Sequence, residues 1–273
     1  MFKIIAFLAV FLLSLPAIAL ESPWVTADYV QAKLSSGIEG VGEEPAFDGL
    51  LEIRLGRGWH AYWRMPGEGG LPPVFDWNGS VNLKNAAIEW PLPQRFVTDG
   101  ITSFGYNGNI SFPLTITPEK PGEKVSLNLK ASIMVCNEIC VPQDVILMLD
   151  IPPGKAAQSR TKAMIEHARA SVPNKGDLPS QKIESVVLGP DAMVVHVFSL
   201  RGLELETDLF VEAGDIYITA KPEIMPDEKD PRGAMLKIVK PEGMENMATA
   251  LAGRIVTLTF TDGQQAIEKS FPF

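Results

Sequence analysis

The sequence predicts an all-β protein with two β-sandwich domains joined by a linker that contains a helix. Short runs in which apolar and polar residues alternate recur along the chain, and turns rich in glycine and proline separate them. The two halves differ in composition, because all five tryptophans lie before Pro91 and both cysteines lie before Val141. A helical pattern occurs between the halves. These observations predict two sandwiches rather than one large domain.

The first domain is predicted to cover residues 20–153 and to end at the turn formed by Pro152, Pro153 and Gly154. Two of its segments, 56–73 and 102–108, combine aromatic residues with many turn residues, so we expect both to be loops. The strand candidates of this domain are 25–34, 47–55, 86–90, 110–117, 125–135 and 145–151.

The second domain is predicted to cover residues 180–273 and to follow a helical linker, 154–179. Within the linker, apolar residues recur on one side of a predicted helix over 155–172, and the segment 173–176 contains the proline and glycine that end it. The strand candidates of the second domain are 183–188, 193–198, 209–211, 216–220, 234–239, 254–260 and 266–271.

The N-terminus has the features of a secretory signal peptide, which we predict to be residues 1–19. Lys3 precedes an apolar run, Pro16 interrupts it, and a small-residue cleavage site ends at Ala19. The apolar run is shorter than the roughly 20 residues that a membrane-spanning helix needs. We therefore expect cleavage, export to the periplasm and no stable membrane insertion of the mature chain.

The chain is acidic, with 24 basic against 33 acidic residues and a net charge of −9. Because nucleic acid and anionic lipid surfaces are themselves negative, we expect neither as a partner. Hydrophobic residues make up 46% of the sequence, which is enough for cores that do not depend on disulfides.

The only two cysteines, Cys136 and Cys140, are separated by three residues and lie between two strand candidates. In an extended chain their Cα atoms would be about 13 Å apart, whereas a disulfide requires less than about 7 Å. The chain must therefore turn, and residues 137–139 have the length of a three-residue hairpin loop. Pro142 disfavours a helix here. In an exported protein we expect a disulfide at the tip of a β-hairpin.

A disulfide that closes a ring of about five residues stabilises a fold by only roughly 2 kcal/mol. A bridge between distant strands would stabilise a domain of this size more. We therefore interpret Cys136 and Cys140 as a redox pair that exchanges with partner thiols. Two alternatives remain open: a structural disulfide in a non-enzymatic binding module, and a copper or zinc site formed by the two thiols.

The aromatic side chains of the two predicted loops are candidate contacts with a partner. They could equally pack against one another within each loop. In the first loop they are Trp59, His60, Tyr62 and Trp63, and in the second they are Phe104 and Tyr106.

The sequence offers little support for other chemistry. The histidines, His60, His167 and His196, have no spacing suited to a metal site. We find no nucleophile elbow, phosphate loop or dinucleotide fingerprint. A C-x-x-C motif at a helix N-terminus is also missing, so the chain is not itself a thioredoxin-type catalyst. We predict no metal site and no cofactor.

Two motifs together resemble the N-terminal periplasmic domain of the thiol:disulfide interchange reductase DsbD family. They are V-C-N-E-I-C-V-P at residues 135–142 and G-W-H-A-Y-W-R-M-P-G-E-G-G-L-P-P at residues 58–73. The resemblance covers about 23–153. It implies an immunoglobulin-like sandwich, so the predicted fold is two immunoglobulin-like β-sandwich domains joined by the helical linker.

In that family the cysteine pair takes electrons from a membrane-embedded domain and passes them to periplasmic oxidoreductases, and a loop aromatic shields the pair. The resemblance therefore implies that Cys136 and Cys140 are the redox pair, that Phe104 or Tyr106 is the shield, and that thioredoxin-like periplasmic oxidoreductases are partners. The sequence continues into neither the membrane hub nor the thioredoxin-like domain of full-length members. We therefore expect a separate membrane protein as electron donor. The cysteines are also closer together than in the enteric domain.

Overall fold

The computed structural model describes residues 20–203, 206–228 and 230–273, so the predicted signal peptide lies outside the described residues. The described chain is all-β, as predicted, and forms two immunoglobulin-like β-sandwiches with a short helix between them. Within the described ranges, no helix is long and apolar enough to cross a membrane.

The first sandwich consists of two antiparallel sheets. One has the strand order β1-β2-β3-β9-β6, and the other has the order β11-β10-β4-β8-β7, with β5 paired to β10. The strands are β1 (Val25–Thr26), β2 (Val30–Ser36), β3 (Phe47–Leu55), β4 (His60–Gly67), β5 (Val74–Asp76), β6 (Leu83–Ile88), β7 (Gln94–Thr98), β8 (Ile101–Asn107), β9 (Asn109–Pro118), β10 (Val125–Cys136) and β11 (Cys140–Ile151).

The core of the first sandwich lies between these sheets. Side chains alternate between the two faces of a strand, and the predicted inward face of β10, which includes Leu129, Ile133 and Val135, is buried. Leu51 of β3 and Phe112 of β9 are buried in the same core from the facing sheet. The alternation in the sequence therefore assigned the inner face of β10 correctly.

Both segments that we predicted as loops contain strands. Strand β4 takes up the middle of 56–73, and nearly all of 102–108 is β8. The two strands pair with each other, and their register shifts between Tyr62 and Gly67. Such an irregularity interrupts the alternation of apolar and polar residues, and the turn residues around it conceal the strands in the sequence.

The linker helix, α1 (Lys162–Arg169), is shorter than the predicted 155–172. The residues before it bind the first sandwich instead. Glu39 donates its N–H to the Ala157 carbonyl at 2.8 Å, and Ser159 donates its N–H to the Gly37 carbonyl at 2.9 Å. Because these backbone groups are already paired, the helix begins only after them.

The second sandwich has one sheet in the order β12-β20-β19-β15-β16 and another in the order β13-β14-β18-β17. The predicted linker contributes β12, which runs parallel to β20. The elements are β12 (Asn174–Lys175), β13 (Gln181–Leu188), β14 (Ala192–Ser199), β15 (Asp208–Ala213), β16 (Ile216–Ile218), β17 (Glu223–Pro226), β18 (Gly233–Val239), α2 (Met247–Leu251), β19 (Ile255–Thr261) and β20 (Ala266–Pro272).

Two arginines of the first sandwich bind carboxylates of the second. Arg64 of β4 donates to Glu212 of β15 at 2.6 Å and also to Glu268 of β20. Arg95 of β7 makes a bidentate contact with Asp208 of β15, at 2.7 and 2.9 Å. Planar bidentate pairing is strong and directional, so these contacts fix how the sheet that contains β4, β8 and β7 meets the second sandwich.

Three buried aromatic rings form the apolar part of this interface. Phe210 of β15 meets Phe104 of β8 edge to face, with ring centroids 5.1 Å apart. It also meets Trp63 of β4 at 5.9 Å. Edge-to-face pairs at this spacing are favourable, so the two sandwiches share a small continuous core.

Candidate functional site

The two cysteines lie at the tip of the hairpin formed by β10 and β11. The strands pair without a register shift from Val125↔Ile151 to Cys136↔Cys140. The Asn137 N–H donates to the Ile139 carbonyl at 3.0 Å and closes the three-residue loop. Cys136 and Cys140 form a disulfide with their Cα atoms 4.1 Å apart. The hairpin predicted from the strand pattern and the disulfide distance limit is therefore present.

The two sulfur-bearing residues differ in exposure. Cys136 is only 2% exposed, whereas Cys140 is exposed together with the three loop residues before it. Thiol–disulfide exchange requires a thiolate to approach one sulfur along the S–S axis. The exposure therefore favours approach at Cys140.

Strand β4 brings Tyr62 to the disulfide. The strand pairs with β10 so that His60 lies opposite Cys136. The Tyr62 hydroxyl donates a hydrogen bond to Cys136 Sγ at 2.9 Å and lies 3.8 Å from Cys140 Sγ. Burial raises the pKa of Tyr62, so the hydroxyl stays protonated and able to donate at neutral pH.

His60 packs beside Tyr62 on the same face of the sheet. Its ring lies edge-on to Tyr62, with centroids 5.4 Å apart, and stacks on Phe96 of β7 at 5.1 Å. Burial lowers the pKa of His60, so its imidazole is neutral at pH 7 and adds no positive charge beside the sulfurs. Phe96 was not predicted as a site residue, because no local feature of 94–98 distinguishes it.

The glycine-rich segment after β4 packs against Tyr62. Gly70 has a φ of +105°, and a Cβ added there would lie 2.1 Å from Tyr62 Cζ. A side chain at Gly70 would therefore collide with the ring near its hydroxyl. Tyr62 is buried, at 4% exposure, although it lies on the face of the sheet that presents the disulfide. The segment covers this ring.

The two residues predicted as the shield lie on the other face of the sheet. In antiparallel pairing, opposed residues point to the same side. Ala61 is opposite Tyr106 and Tyr62 is opposite Gly105, so Tyr106 shares the buried face of Ala61 and not the face of Tyr62. Phe104, two residues away along β8, shares that buried face.

The contacts of these two rings agree with the register. Phe104 packs on Phe210 of the second sandwich, and the Tyr106 hydroxyl donates to the Pro91 carbonyl at 2.8 Å. The prediction that Phe104 or Tyr106 covers the sulfurs is therefore wrong. Gly105 lies between them in β8, where an added Cβ would lie 2.0 Å from the Ala61 carbonyl oxygen, so β8 approaches β4 closely there.

The four aromatic residues predicted to contact a partner have different surroundings. His60 and Tyr62 lie at the disulfide, as described above. Trp59 stacks on Tyr29 with ring centroids 3.9 Å apart, and it is partly exposed. Trp63 is fully buried against Phe210, so its predicted role as a surface contact is wrong.

No three His, Cys, Asp or Glu side chains lie close enough together to hold a metal ion within 20–203, 206–228 and 230–273.

The first sandwich presents a disulfide at a hairpin tip with one cysteine open to solvent, which is the arrangement that a thiol–disulfide interchange domain requires. Residues 42–151 match the family model described as "Thiol:disulfide interchange protein DsbD, N-terminal". The match lies within the first sandwich, which is the part of the chain whose two motifs resemble that family. The match does not extend to the second sandwich.

The fold of the described chain is also found in a solved structure. The N-terminal periplasmic domain of ScsB from Proteus mirabilis aligns over 93% of this chain and 98% of its own, with a TM-score of 0.71 and 20% identity. A marsupial T cell receptor aligns over 90% of this chain and 98% of its own at 12% identity, but its TM-score of 0.23 supports no structural argument. No curated protein sequence matches this chain.

Proposed function

We propose that the protein exchanges thiols and disulfides through Cys136 and Cys140 in the periplasm. In this role it relays reducing equivalents to or between thioredoxin-like oxidoreductases and receives them from a membrane-embedded electron donor. The observation that carries the proposal is the asymmetric disulfide, in which Cys140 is exposed and Cys136 is buried and hydrogen-bonded by Tyr62. The match to the family model supports the class of partner, and the predicted signal peptide supports the compartment.

In this proposal the two sulfurs have different roles during reduction, and their different exposures support that assignment. A donor thiolate attacks Cys140 Sγ, the S–S bond breaks, and Cys136 leaves as a thiolate that accepts the Tyr62 hydrogen bond. The thiolate of the donor's second cysteine then attacks the sulfur of the donor's first cysteine in the mixed disulfide. This step releases Cys140 as a thiolate. Two electrons have then passed to this chain, and the donor is left as a disulfide.

Delivery of the electrons reverses these steps. The Cys140 thiolate attacks the disulfide of an oxidised acceptor, and one acceptor sulfur leaves as a thiolate. The Cys136 thiolate then attacks Cys140 Sγ, which restores the intramolecular disulfide and releases the acceptor as a dithiol. Cys140 is the sulfur shared with a partner in both directions.

The first prediction tests this assignment. The probe is a thioredoxin whose second active-site cysteine is replaced by serine and whose first carries a 2-nitro-5-thiobenzoate group. The reduced Cys136→Ser variant should displace the coloured thiolate at least about tenfold faster than Cys140→Ser, because the buried Cys136 is less accessible to attack the probe. Release is followed by absorbance, and the mixed disulfide by non-reducing electrophoresis.

Equal rates for the two variants would contradict the assignment of Cys140 as the exchanging sulfur. Failure of both variants and of the reduced wild-type protein to react with the probe would leave the structural-disulfide alternative as the better account.

A further inference from the structure

The segment that covers Tyr62 is attached to the second sandwich. We define the strap as residues 68–70, which directly follow β4. Thr219, which lies just after β16, donates its hydroxyl to Glu68 Oε1. The other oxygen of Glu68 accepts the Thr102 N–H at 3.2 Å, and the Glu68 N–H donates to the Thr102 carbonyl at 3.0 Å. Glu68 therefore ties the strap both to β8 and to the second sandwich.

Thr219 is itself held at the domain interface. It is buried, and its carbonyl accepts a hydrogen bond from Arg95 of the first sandwich. Arg95 in turn binds Asp208. The hydroxyl that reaches Glu68 thus comes from a residue with a fixed backbone, so it can restrain the strap.

The other end of the strap contacts Tyr62. Gly70 lies against the end of the ring that carries the hydroxyl, and that hydroxyl donates to Cys136 Sγ at 2.9 Å. A continuous series of contacts therefore runs from Thr219 through Glu68 and Gly70 to Tyr62 and Cys136.

We propose that Glu68 is a positioning residue through which the second sandwich holds Tyr62 on Cys136 and so sets the reactivity of the cysteine pair. This inference rests on the proposed function of the pair. It assigns a role to the second sandwich, which the family model does not cover. The cover of the site is then the strap and not the aromatic residues of β8.

The chemical consequence concerns the Cys136 thiolate. Without the contact to Thr219, the strap gains conformational freedom and Tyr62 gains room to rotate. A thiolate that loses a hydrogen-bond donor is less stable, so the thiol titrates at higher pH. Loss of cover would also expose the sulfur and change the absolute rate, so the midpoint of the pH profile is the informative quantity.

The test uses the full mature chain with Cys140→Ser, which leaves Cys136 as a single thiol. The alkylation rate with iodoacetamide is measured from pH 5 to 10 without any partner protein. Tyr62→Phe should move the midpoint upward by about one pH unit. Thr219→Val and Glu68→Ala should each move it upward by about half a unit, and neither should add to the shift of Tyr62→Phe.

Other ionisable groups near the site do not obscure this profile. His60 is the titratable side chain that contacts Tyr62, and its lowered pKa places its transition below that of the thiol. Arg57 and Glu138 lie in the turns beside the hairpin tip and are the same in every variant. Glu68→Ala also removes a negative charge, which by itself would move the midpoint downward, so Thr219→Val, which changes no charge, decides where the two variants disagree.

Glu212→Gln is the matched control, because it weakens another contact of the same interface, with Arg64, and leaves Glu68 and Thr219 in place. Its midpoint should equal that of the parent. The inference is overturned if Thr219→Val and Glu68→Ala leave the midpoint unchanged, or if Glu212→Gln shifts it equally. If Glu68→Ala fails to fold, Thr219→Val, which replaces one hydroxyl by a methyl group, decides alone.

Failure of this inference is distinguishable from failure of the proposed function. The pH profile needs no partner, whereas the proposed function is tested with the activated thioredoxin. A wild-type protein that exchanges normally, with variants that show no shift, would reject only the role of Glu68.

Discussion

The two cysteines have the same chemistry but different surroundings, and the proposed difference in their roles follows from those surroundings. Cys136 is buried beneath Tyr62, and Cys140 is exposed beside the hairpin loop. A better-stabilised thiolate is a better leaving group in disulfide exchange. The hydrogen bond from Tyr62 therefore favours cleavage that leaves the negative charge on Cys136.

The second prediction concerns the Tyr62 hydroxyl. Tyr62→Phe keeps the ring and removes the donor, so reduction of the disulfide by a dithiol should slow by about tenfold, the effect of losing roughly 1.4 kcal/mol of stabilisation in the transition state. The rate can be followed by quenching with acid and counting free thiols. Tyr29→Phe is the control, because Tyr29 stacks on Trp59 instead. An unchanged rate for Tyr62→Phe would show that the contact with sulfur does not assist exchange.

The disulfide was predictable from local sequence, but the face of the sheet on which Phe104 lies was not. Two alternating runs, a three-residue separation and the distance limit of a disulfide were sufficient to place Cys136 and Cys140. The face occupied by Phe104 depends instead on which residue of β4 lies opposite it, and that register includes an irregularity. Its neighbour, Phe210, is more than a hundred residues away in the sequence, so no local pattern could reveal the pairing.

At the scale of the strands and helices, the hairpin of β10 and β11 does not depend on its disulfide. The strands pair over twelve positions, and residues such as Leu129 and Leu147 bury its inner face. The disulfide closes only a short ring at the end of this ladder.

The third prediction follows from that short ring. Replacing both Cys136 and Cys140 by serine should lower the free energy of unfolding by no more than about 2 kcal/mol. The variant should remain folded, which urea denaturation followed by circular dichroism can measure. A loss well above this value, or failure to fold, would show that the disulfide has mainly a structural role.

The linker helix α1 is held to the first sandwich by Asp48 of β3. Its carboxylate binds Lys162 at 2.5 Å and Arg169 at 3.0 Å, near the two ends of the helix. Burial alone would raise the pKa of Asp48, but the hydrogen bonds and charges of Lys162 and Arg169 lower it below its usual value of 3.8. The helix is short, so these contacts matter more than its intrinsic stability.

The fourth prediction is the pH dependence that Asp48 introduces. Because its pKa is lower in the folded state, its contribution to stability is present above pH 3.8 and is lost as the pH falls through the folded value. Asp48→Asn should lower the thermal midpoint at pH 7 and flatten its fall below about pH 4. Glu166→Gln is the control, because its carboxylate is exposed and makes only a long contact of 3.9 Å with Lys162, so its loss should change the profile little. Identical profiles for Asp48→Asn and wild type would contradict the assignment.

At the scale of the whole molecule, the sheet that carries the disulfide is supported by the second sandwich. Consecutive residues of β7 point to opposite faces of this sheet. Phe96 stacks on His60 near the sulfurs, and Arg95 binds Asp208 of the second sandwich. Two-domain organisation was predictable from composition and strand spacing. The contact between the domains was not, because no local feature of the sequence around Arg95 indicates a partner beyond position 200.

The last prediction separates this interface from ordinary surface ion pairs. The side chains of Arg95 and Asp208 are 10% and 13% exposed, whereas those of Lys237 and Glu223 in the second sandwich are 39% and 63% exposed. Arg95→Met leaves the Asp208 carboxylate largely buried without its cation and should destabilise the protein by about 3 kcal/mol. Lys237→Met should change stability by less than about 1 kcal/mol.

The double variant Arg95→Met with Asp208→Leu should recover most of the loss, because no charge then remains buried without a partner. Calorimetric unfolding of the full mature chain distinguishes these cases, and Arg95→Met is also expected to separate the unfolding of the two sandwiches into two transitions. A single unchanged transition in Arg95→Met would show that the remaining contacts, which are the ion pairs of Arg64 and the packing of Phe104 and Trp63 on Phe210, hold the sandwiches together without Arg95.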